Sequence, residues 1–310
     1  MSHKYDIIAT GNYCLDFIFT GLDDYMQLGK EIVGRGFEMI PGDAYNSVTA
    51  MHRLGIKVGW ATDFGNDDFS RFALERVRQE GLDETLFVHH PRPLRRITVA
   101  ASYPEDRAFL AYYDPAPAVP AVFKALAIAS AKAFYIPGFY YGRLFDAGLP
   151  VVRAKGMKLV MDGNSGNDAV KLSNPAVYKA ASKADLLLPN AREALCMTGK
   201  KDLQEAIQAL GDLCPLVVVK DGPNGAWAIC RGKLYHSPAI PVTPLDTTGA
   251  GDSFNAGFLR AWLDGLSIPD CLLWGNIVGG LSTTAHGGTG RVIGLEEVRE
   301  WSRNRSFRVE

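Results

Sequence analysis

The nine residues DTTGAGDSF, from Asp246 to Phe254, decide how this 310-residue chain folds and what chemistry it carries. The apolar spacing of residues 254–262 predicts that a helix begins within the stretch. Gly249 and Gly251 let the backbone approach a ligand closely, and the free N–H groups of a helix's first turn bind anions without a basic side chain. Asp252 can accept the proton of an attacking hydroxyl at that position. The stretch therefore predicts a phosphate site beside a general base.

Taken alone, Gly249 to Gly251 would be only a tight turn, with Asp252 stabilised by the helix dipole. The whole stretch resembles the second signature of the ribokinase (PfkB) family of carbohydrate kinases. The resemblance implies that Asp252 is the catalytic base, that Gly249, Ala250 and Gly251 form the anion hole, and that ATP is the phosphate donor. Asp246 and Thr248 match positions that contribute backbone carbonyls to a monovalent-cation site in several family members. Potassium is therefore a candidate cofactor.

A second element of the family, NxxE, is matched by Asn190-Ala191-Arg192-Glu193, which follows the apolar run 186–189. In the family this element organises Mg²⁺ and phosphates, and the glutamate acts through metal-bound water, which suits the preference of Mg²⁺ for oxygen ligands and retained waters. The resemblance thus places Asn190 in the nucleotide site and Glu193 near Mg²⁺. The same spacing alone is typical of a helix cap.

Residues of the C-terminal half extend the resemblance to the nucleotide site. Lys220, Gly222 and Gly225 in the segment VVVKDGPNGAW match the family's strand-to-hairpin turn that touches the nucleotide. Asn276, on a segment that borders the adenine site in relatives, is a further candidate nucleotide contact. Without the family, the segment around Gly222 would predict only a turn.

The acceptor site is expected in the first half of the chain. Asn12 and Asp16 lie in a segment similar to the family's opening strand and loop, where an aspartate binds substrate hydroxyls; a carboxylate accepts two such bonds. Gly42, Asp43 and Asn46 resemble the first signature, GGxxxN, although Asp43 departs from it. A carboxylate there adds a hydroxyl acceptor and disfavours a nearby anionic group.

Other departures also bear on the acceptor. The family's DxNxR element is incomplete, because Asp162-Gly163-Asn164 is followed by Ser165 and Gly166. Arg107 and Tyr113 resemble the lid hairpin of ketodeoxygluconate kinases, but Asp114 stands where those kinases offer arginine. The cluster Arg92, Arg95 and Arg96 is typical of a solvated face, with a sugar phosphate as the less favoured explanation. These features favour an uncharged sugar or a nucleoside.

The elements in between predict an α/β fold with a central, mainly parallel sheet flanked by helices. Strands are expected at 5–9, 58–62, 133–136, 158–161, 186–189 and 216–220, with helices at 44–54 and 67–80. Exposed strands at 17–20, 31–38, 97–102 and 109–113, the last two around a turn at 104–106, predict a small β lid. We expect one domain, residues 1–310, with the lid formed by about 16–38 and 96–114.

Composition narrows the partners and the compartment. Thirty-three Lys and Arg residues balance 34 Asp and Glu residues, so no net positive field favours nucleic acid or an anionic membrane. The five cysteines are scattered and lack a CxxC pair, which argues against disulfides or a zinc site and favours a reducing cytoplasm. The apolar run near the N-terminus is short, and neither a signal peptide nor a membrane span is predicted. Five of the six histidines, at 52, 89, 90, 236 and 286, share no spacing typical of a metal site.

Three alternative functions remain to be weighed. A nucleoside kinase of the same family is compatible with aromatic lid residues such as Phe109 and Tyr112. A non-catalytic sugar-binding regulatory protein is less favoured, because Asp252 and the glycines beside it are intact. A dinucleotide-binding oxidoreductase is disfavoured, because no GxGxxG follows the first strand. By resemblance, the lid is expected to pair two subunits into a homodimer.

Overall fold

An eight-stranded sheet organises most of the chain, in a computed structural model that describes residues 4–103, 107–163 and 170–303. The described residues form strands β1 Tyr5–Thr10, β2 Tyr13–Thr20, β3 Gly36–Asp43, β4 Val58–Ala61, β5 Asp63–Phe64, β6 Val88–His89, β7 Arg96–Ser102, β8 Arg107–Tyr113, β9 Ala131–Ile136, β10 Lys158–Asp162, β11 Leu186–Leu188, β12 Leu216–Lys220, β13 Ala226–Cys230 and β14 Lys233–Ser237. The helices are α1 Ala44–Arg53, α2 Asp68–Gln79, α3 Ala121–Ile128, α4 Arg143–Ala154, α5 Pro175–Lys183, α6 Ala191–Thr198, α7 Leu203–Gly211, α8 Ala250–Leu263, α9 Ile268–Ser282 and α10 Leu295–Arg303.

The strand order of the main sheet creates a switch point beside β1. The order is β14-β13-β12-β11-β10-β9-β1-β4, and every pairing from β4 to β12 is parallel, whereas β13 and β14 are antiparallel. The chain runs from β1 outward to β4 and then returns to the other side of β1 to build β9 through β12. Open sheets of this kind bind ligands beyond the carboxyl ends of strands where the order reverses. The predicted mainly parallel sheet is confirmed.

Helices cover both faces of this sheet, and the strands are apolar on both sides for that reason. In β1, Ile7 packs into the core beneath α1 and α8, while its neighbour Ile8 packs into the core beneath α3 to α7. In β12, Val218 faces the first core, and Val217 and Val219 face the second. Successive side chains alternate between faces, so a continuous buried run is the expected pattern for such a strand.

A four-stranded sheet, ordered β3-β2-β7-β8, is separate from the main sheet and contains the segments predicted to form the lid. β2 pairs antiparallel with β3 and parallel with β7, and β7 with β8 completes the predicted second hairpin. The prediction for residues 31–38 was wrong in its boundaries: β3 begins at Gly36, which pairs with Thr20, and continues to Asp43, which pairs with Tyr13. The strand has the predicted length but is shifted by five residues toward the C-terminus, because its partner β2 reaches back to Tyr13. The predicted turn at 104–106 lies outside the described residues.

Four chain segments connect the small sheet to the rest of the fold, and the first two in chain order have positive φ values. The first follows β1 at Gly11, whose φ is +112°, and the second passes from β3 into α1 at Asp43, whose φ is +58°. The backbone N–H of Ala44 donates to the carbonyl of Asn12 at 3.1 Å and holds the two crossings together. In the described part of the chain, no helix is both long enough and apolar enough to cross a bilayer.

Candidate active site

The N-terminus of α8 approaches a second loop closely through Gly249. This residue has φ +67°, and a Cβ built on it would lie 2.6 Å from Cα of Gly288. A side chain is therefore excluded by both the backbone conformation and the contact with the 286–288 loop. Because residue 249 has no side chain to cap the helix, the first-turn N–H groups form the kind of site that binds phosphate. The predicted positions Gly249, Ala250 and Gly251 lie at this helix start.

Asp252 lies in the first turn of α8 and is held by Ser47 of α1. The Ser47 hydroxyl donates to Oδ1 of Asp252 across the packed ends of the two helices. Burial raises the pKa of Asp252 to about 7, and the nearby Asp162 carboxylate adds to the rise, while Ser47 and Lys220 oppose it. A base with a pKa near neutrality is suited to proton transfer at physiological pH.

A chain of hydrogen bonds supports Ser47 from behind. Asn255 donates its side-chain amide to the hydroxyl oxygen of Tyr135 at 3.1 Å, and the hydroxyls of Tyr135 and Ser47 lie 3.2 Å apart. Since the Ser47 proton goes to Asp252, the Tyr135 proton must point to Ser47. The order Asn255, Tyr135, Ser47, Asp252 gives the chain one direction, and each donor supports the next acceptor.

Lys220, at the end of β12, forms a buried ion pair beside the α8 N-terminus. Its ammonium lies 2.8 Å from Asp162 and 3.2 Å from Oδ1 of Asn255, and the lysine and aspartate side chains are only 11% and 7% exposed. A Cβ built on Gly251 would lie 3.7 Å from this ammonium. A positive charge thus stands next to the helix N–H groups, where a phosphate would gain from both.

A cleft of about 530 Å³ extends from this point between α8, α9 and the β12–β13 turn. Lys220, Gly222, Gly225 and Asn276, four of the residues assigned to the nucleotide, line it. Gly225 has φ +89°, and a Cβ there would lie 2.1 Å from the Ser237 carbonyl oxygen, so glycine is required at that turn. The volume lies in the range of small-molecule sites.

Asn276 has a second role in the cleft wall. Its amide nitrogen donates to the carbonyls of Ser237 and Pro238, at 2.9 and 3.0 Å, and to the Ser237 hydroxyl. These bonds fasten the segment that follows β14 against α9. The residue therefore lines the cleft while its donor group stabilises the protein.

Asn190 and Glu193 form a capping box at the start of α6. The Asn190 side chain accepts from the N–H of Glu193, and Oε2 of Glu193 accepts from the N–H of Asn190, both at 2.8 Å. Glu193 also lies against Gly163, just after Asp162, and burial together with the Asp162 charge raises its pKa. Asn190 and Glu193 therefore cap the helix, and Glu193 also lies beside the ion pair of Lys220 with Asp162.

The carboxylates beside the ion pair of Lys220 bear on whether a metal ion fits there. Among residues 4–103, 107–163 and 170–303, no cluster of three or more His, Cys, Asp or Glu side chains is arranged to hold a metal ion. Mg²⁺ in nucleotide sites is commonly bound through one or two carboxylates, water and phosphate oxygens. Asp162 and Glu193 supply carboxylates of that kind beside the cleft. The remaining DxNxR positions, 164–166, lie outside the described residues.

Asp246 and Thr248, the candidate cation positions, are joined to the lid. Asp246 accepts hydrogen bonds from Thr248 and from the N–H of Gly287, and these bonds lower its pKa although burial acts in the opposite direction. Arg107 of β8 donates to the Thr248 hydroxyl and lies 3.5 Å from the Asp246 carboxylate. A guanidinium charge therefore stands beside this pair.

The acceptor end contains two carboxylates that face each other. A Cβ on Gly42 would lie 2.2 Å from Oδ2 of Asp16, so glycine leaves the room that this side chain occupies. Burial, with the charge of Asp43, raises the pKa of Asp16 to about 6. Desolvation likewise raises the pKa of Asp43 to about 6, although the positive charge of Arg96 lowers it. Asp43 also raises the pKa of Asp252, which places both ends of the site in one electrostatic field.

Two buried polar atoms at the acceptor end have no hydrogen-bond partner among the described residues. They are Oδ1 of Asn46 and Nε of Arg96. Asn46 is 7% exposed and packs against Gly288, next to the α8 N-terminus. An unpaired buried polar atom carries a desolvation cost, and a ligand that supplies a partner removes that cost. Asn12 lies nearby, because its carbonyl accepts the hydrogen bond from the N–H of Ala44.

Several residues of the site were missed from the sequence. Ser47, Tyr135 and Asn255 were given no role, and Asp162 was noted only for an incomplete motif. Ser47 and Asn255 each directly follow a motif residue, which is a weak signal. Their partners lie 88 to 205 positions away, so only the folded chain shows the network.

Known kinases resemble this chain over most of its length. The family model described as pfkB family carbohydrate kinase matches residues 14–292. The fructoselysine 6-kinases of Shigella flexneri and Escherichia coli are each 28% identical over 91% of this chain and 98% of their own. A structure described as ribokinase II from E. coli, in complex with ATP and Mg²⁺, has a TM-score of 0.76 at 20% identity and covers 96% of this chain and 99% of that one. Aminoimidazole riboside kinase from Salmonella enterica has a TM-score of 0.74 at 20% identity, covering 96% and 99%.

Proposed function

Because the chain belongs to the pfkB family of carbohydrate kinases, we propose that it transfers the γ-phosphoryl group of ATP to a hydroxyl of a small sugar. The observation that carries the proposal is the position of Asp252. Its carboxylate lies in the first turn of an uncapped helix, bound to Ser47 and facing the acceptor end. A base and an anion site thus occupy one short segment, as phosphoryl transfer requires.

In the proposed reaction, the acceptor hydroxyl gives its proton to Asp252 as its oxygen bonds to phosphorus and the bond to the ADP oxygen breaks. The N–H groups at residues 249–251 stabilise the charge on the transferring phosphoryl oxygens. The helix position and the Ser47 bond fix the carboxylate before the acceptor binds. Closing the lid would exclude water, which otherwise competes as the acceptor.

For the nucleotide, we propose that the 530 Å³ cleft binds ATP, with Lys220 at the phosphates and Gly222, Gly225 and Asn276 along the wall. Mg²⁺ would sit near Glu193 and Asn190 and neutralise phosphate charge. Potassium beside Asp246 and Thr248 remains a candidate. Arg107 places a guanidinium beside that pair. The activities of wild type and Arg107→Gln, each measured with and without K⁺, test directly whether the cation binds there.

For the acceptor, we propose an uncharged or amine-bearing sugar. Asp16 and Asp43 accept hydrogen bonds from hydroxyl or amine groups and repel anions, and Asn46 offers an unpaired oxygen. Sugar acids and sugar phosphates are disfavoured for that reason. Phe109 and Tyr112, considered for stacking a nucleoside base, lie 65% and 52% exposed on the outer strand β8.

We also propose a homodimer formed through the lid, with a second copy of the chain as the partner. The outer strand exposes Phe109, Leu110, Tyr112 and Tyr113, and Phe37 is exposed on β3. Contiguous apolar side chains on an edge strand favour association. Sedimentation of wild type and Leu110→Lys tests this: a dimer that becomes a monomer supports it, and a wild-type monomer contradicts it.

The compartment is likewise a proposal. The thiols of Cys14, Cys214 and Cys271 are buried and form no disulfide among the described residues. Thiols that are not joined in disulfides persist in reducing compartments. A cytoplasmic location, with ATP as the phosphate donor, is consistent with this.

The experiment that tests the function is a coupled ADP-release screen with Mg-ATP across hexoses, pentoses, amine-substituted sugars, sugar acids and nucleosides. Asp252→Asn is measured beside the wild type. We expect one acceptor class to stimulate ADP release, and the variant to lose about 10²-fold or more in kcat. Sugar binding without ADP release in the wild type would contradict the kinase and favour a regulatory sugar-binding protein.

A further inference from the structure

An apolar cavity of about 170 Å³ lies under α3 and α4, on the face of the sheet opposite α1 and α8. Its interior is lined mainly by Phe123, Leu126, Phe134, Phe145 and Leu149. An apolar cavity of about 150 Å³ is known to stay dry and to bind benzene. The space therefore fits a group of roughly one six-membered ring.

The cavity reaches the carboxyl ends of the strands at the switch point of the sheet. Thr10 ends β1, Ala61 ends β4 and Ile136 ends β9, and all three line it. Gly11 and Asn12, from the first lid crossing, line it as well. Ligands of such sheets bind beyond these strand ends. The cavity thus adjoins the place where the acceptor is expected.

Tyr140 connects the cavity with the acceptor carboxylates. It lines the cavity and is 48% exposed, and the charges of Asp43 and Arg96 both act on its hydroxyl. A ligand that contacts Asp43 therefore lies beside the rim formed by Tyr140 and Asn12.

The acidic group in the cavity wall, Asp63, is already paired. The Asp63 carboxylate lies 2.7 Å from Nε2 of His90 and accepts from the N–H of Ala121 at 3.0 Å. The interior consequently offers apolar contact and no free charge at Asp63. Such a space selects an uncharged apolar group, while the rim selects hydroxyls.

The helix that covers the cavity, α4, is weakened there by two residues of low helix propensity. Gly148 and Pro150 both lie inside α4, and both are poor helix formers. Gly148 lines the cavity, and a Cβ on it would approach only Cδ1 of Leu126, at 3.4 Å. Alanine fits at that position, so the backbone does not require glycine. The missing side chain leaves the cavity open.

We propose that this cavity is a subsite of the acceptor pocket that binds an apolar substituent, of about the size of a benzyl group, carried by the sugar. The inference rests on the proposed function and narrows the acceptor to a substituted sugar. The sugar hydroxyls contact Asn12 and the carboxylates of Asp16 and Asp43, and the substituent enters beneath α4.

The test measures binding by calorimetry to the full chain with two matched probe pairs. They are D-fructose with 1-benzylamino-1-deoxy-D-fructose, and D-ribose with benzyl β-D-ribofuranoside. Gly148→Leu fills the cavity from α4, and Gly148→Ala is the matched control, with a similar gain in helix propensity and little added volume. Thermal melts of both variants confirm that they are folded.

In at least one of the two probe pairs, we expect the benzyl derivative to bind about tenfold or more tightly than its parent sugar, both to wild type and to Gly148→Ala. Gly148→Leu should remove that preference and leave the parent sugar's affinity within about twofold. Equal affinities in both pairs, no binding of any probe, or a preference that survives in Gly148→Leu would overturn the inference. ADP release with the same probes separates the two proposals. Turnover without a benzyl preference would contradict only the proposed subsite, and a benzyl preference without turnover would contradict only the proposed kinase activity.

Discussion

The hydroxyl of Ser47 donates a hydrogen bond to the carboxylate of Asp252 and joins two residues that are 205 positions apart in the sequence. Ser47 lies in the first turn of α1, which follows the crossing at Asp43, and Asp252 lies in the first turn of α8. The bond therefore fixes the carboxylate of the proposed base at the junction of the two halves of the site. It also favours the charged form of a carboxyl group that burial tends to neutralise.

Ser47→Ala should shift the acidic limb of the pH profile of kcat/KM upward by about one unit, because a charge-assisted hydrogen bond to the ionised base is lost. The pKa of Asp252 is about 7 in the wild type, and the base works only when deprotonated. Activity should fall several-fold at pH 6.5 and recover near pH 8.5. Ser47→Thr keeps a hydroxyl and should keep the profile; identical profiles for all three proteins would show that the bond is unimportant.

Asp252→Asn should raise thermal stability at alkaline pH while it abolishes turnover. Burial raises the pKa of Asp252 from 3.8 to about 7, so the folded state binds a proton that the unfolded state has released between those values. Stability therefore falls as pH rises through this window. We expect the variant to melt a few degrees higher than wild type at pH 8, and the difference to shrink at pH 4. An equal difference at both pH values would exclude this origin.

Asp43→Gly should stabilise the protein and weaken acceptor binding. Asp43 has φ +58° and ψ −133°, which glycine adopts without strain and other residues adopt at a cost of about 1 kcal/mol or more. Asp43→Ala is the control, because it loses the carboxylate and keeps the strained backbone. Chemical denaturation should rank the glycine variant as the more stable, and the acceptor KM should rise in both. A glycine variant no more stable than the alanine variant would contradict the strain.

Lys220→Met should destabilise the fold and raise the KM for ATP. The variant leaves Asp162 buried without its cation, and breaking a buried ion pair typically costs about 3 kcal/mol. The lost ammonium should raise the KM for ATP about tenfold. The double variant Asp162→Asn with Lys220→Met should recover much of the stability and none of the ATP affinity. Recovery of both would show that Lys220 acts only through the fold.

The local pattern of the sequence was enough to predict the main sheet. β12 has the predicted bounds, and β1, β4, β9, β10 and β11 differ from prediction by at most two residues at either end. These strands are buried on both faces, so their apolar runs are continuous and bounded by turns. The lid was harder: β3 is exposed over much of its length, and its register depends on β2 rather than on its own apolar pattern.

The glycine-rich site was predictable because its constraints are local. Gly249 and Gly225 adopt positive φ values, and their surroundings leave no room for a side chain. Each position therefore requires glycine, which is visible in the sequence. The support of Asp252 by Ser47, Tyr135 and Asn255, and the pairing of Lys220 with Asp162, join distant segments. No spacing rule reports such pairs. The cavity beneath α4 escaped prediction for the same reason, since Gly148 and Pro150 alone indicate only a weak helix.

The two crossings at Gly11–Asn12 and Asp43–Ala44 also limit how this protein can be re-engineered. Both crossings carry acceptor residues, and one backbone hydrogen bond holds them together. A graft that exchanges the lid for that of a relative, with its joints inside either crossing, would change acceptor recognition at the same time. Joints placed before Gly11 and after Ala44 would transfer β2, β3 and the recognition residues as one cassette, while β7 and β8 would remain those of this chain. New edge contacts on β8 can be designed without disturbing either crossing.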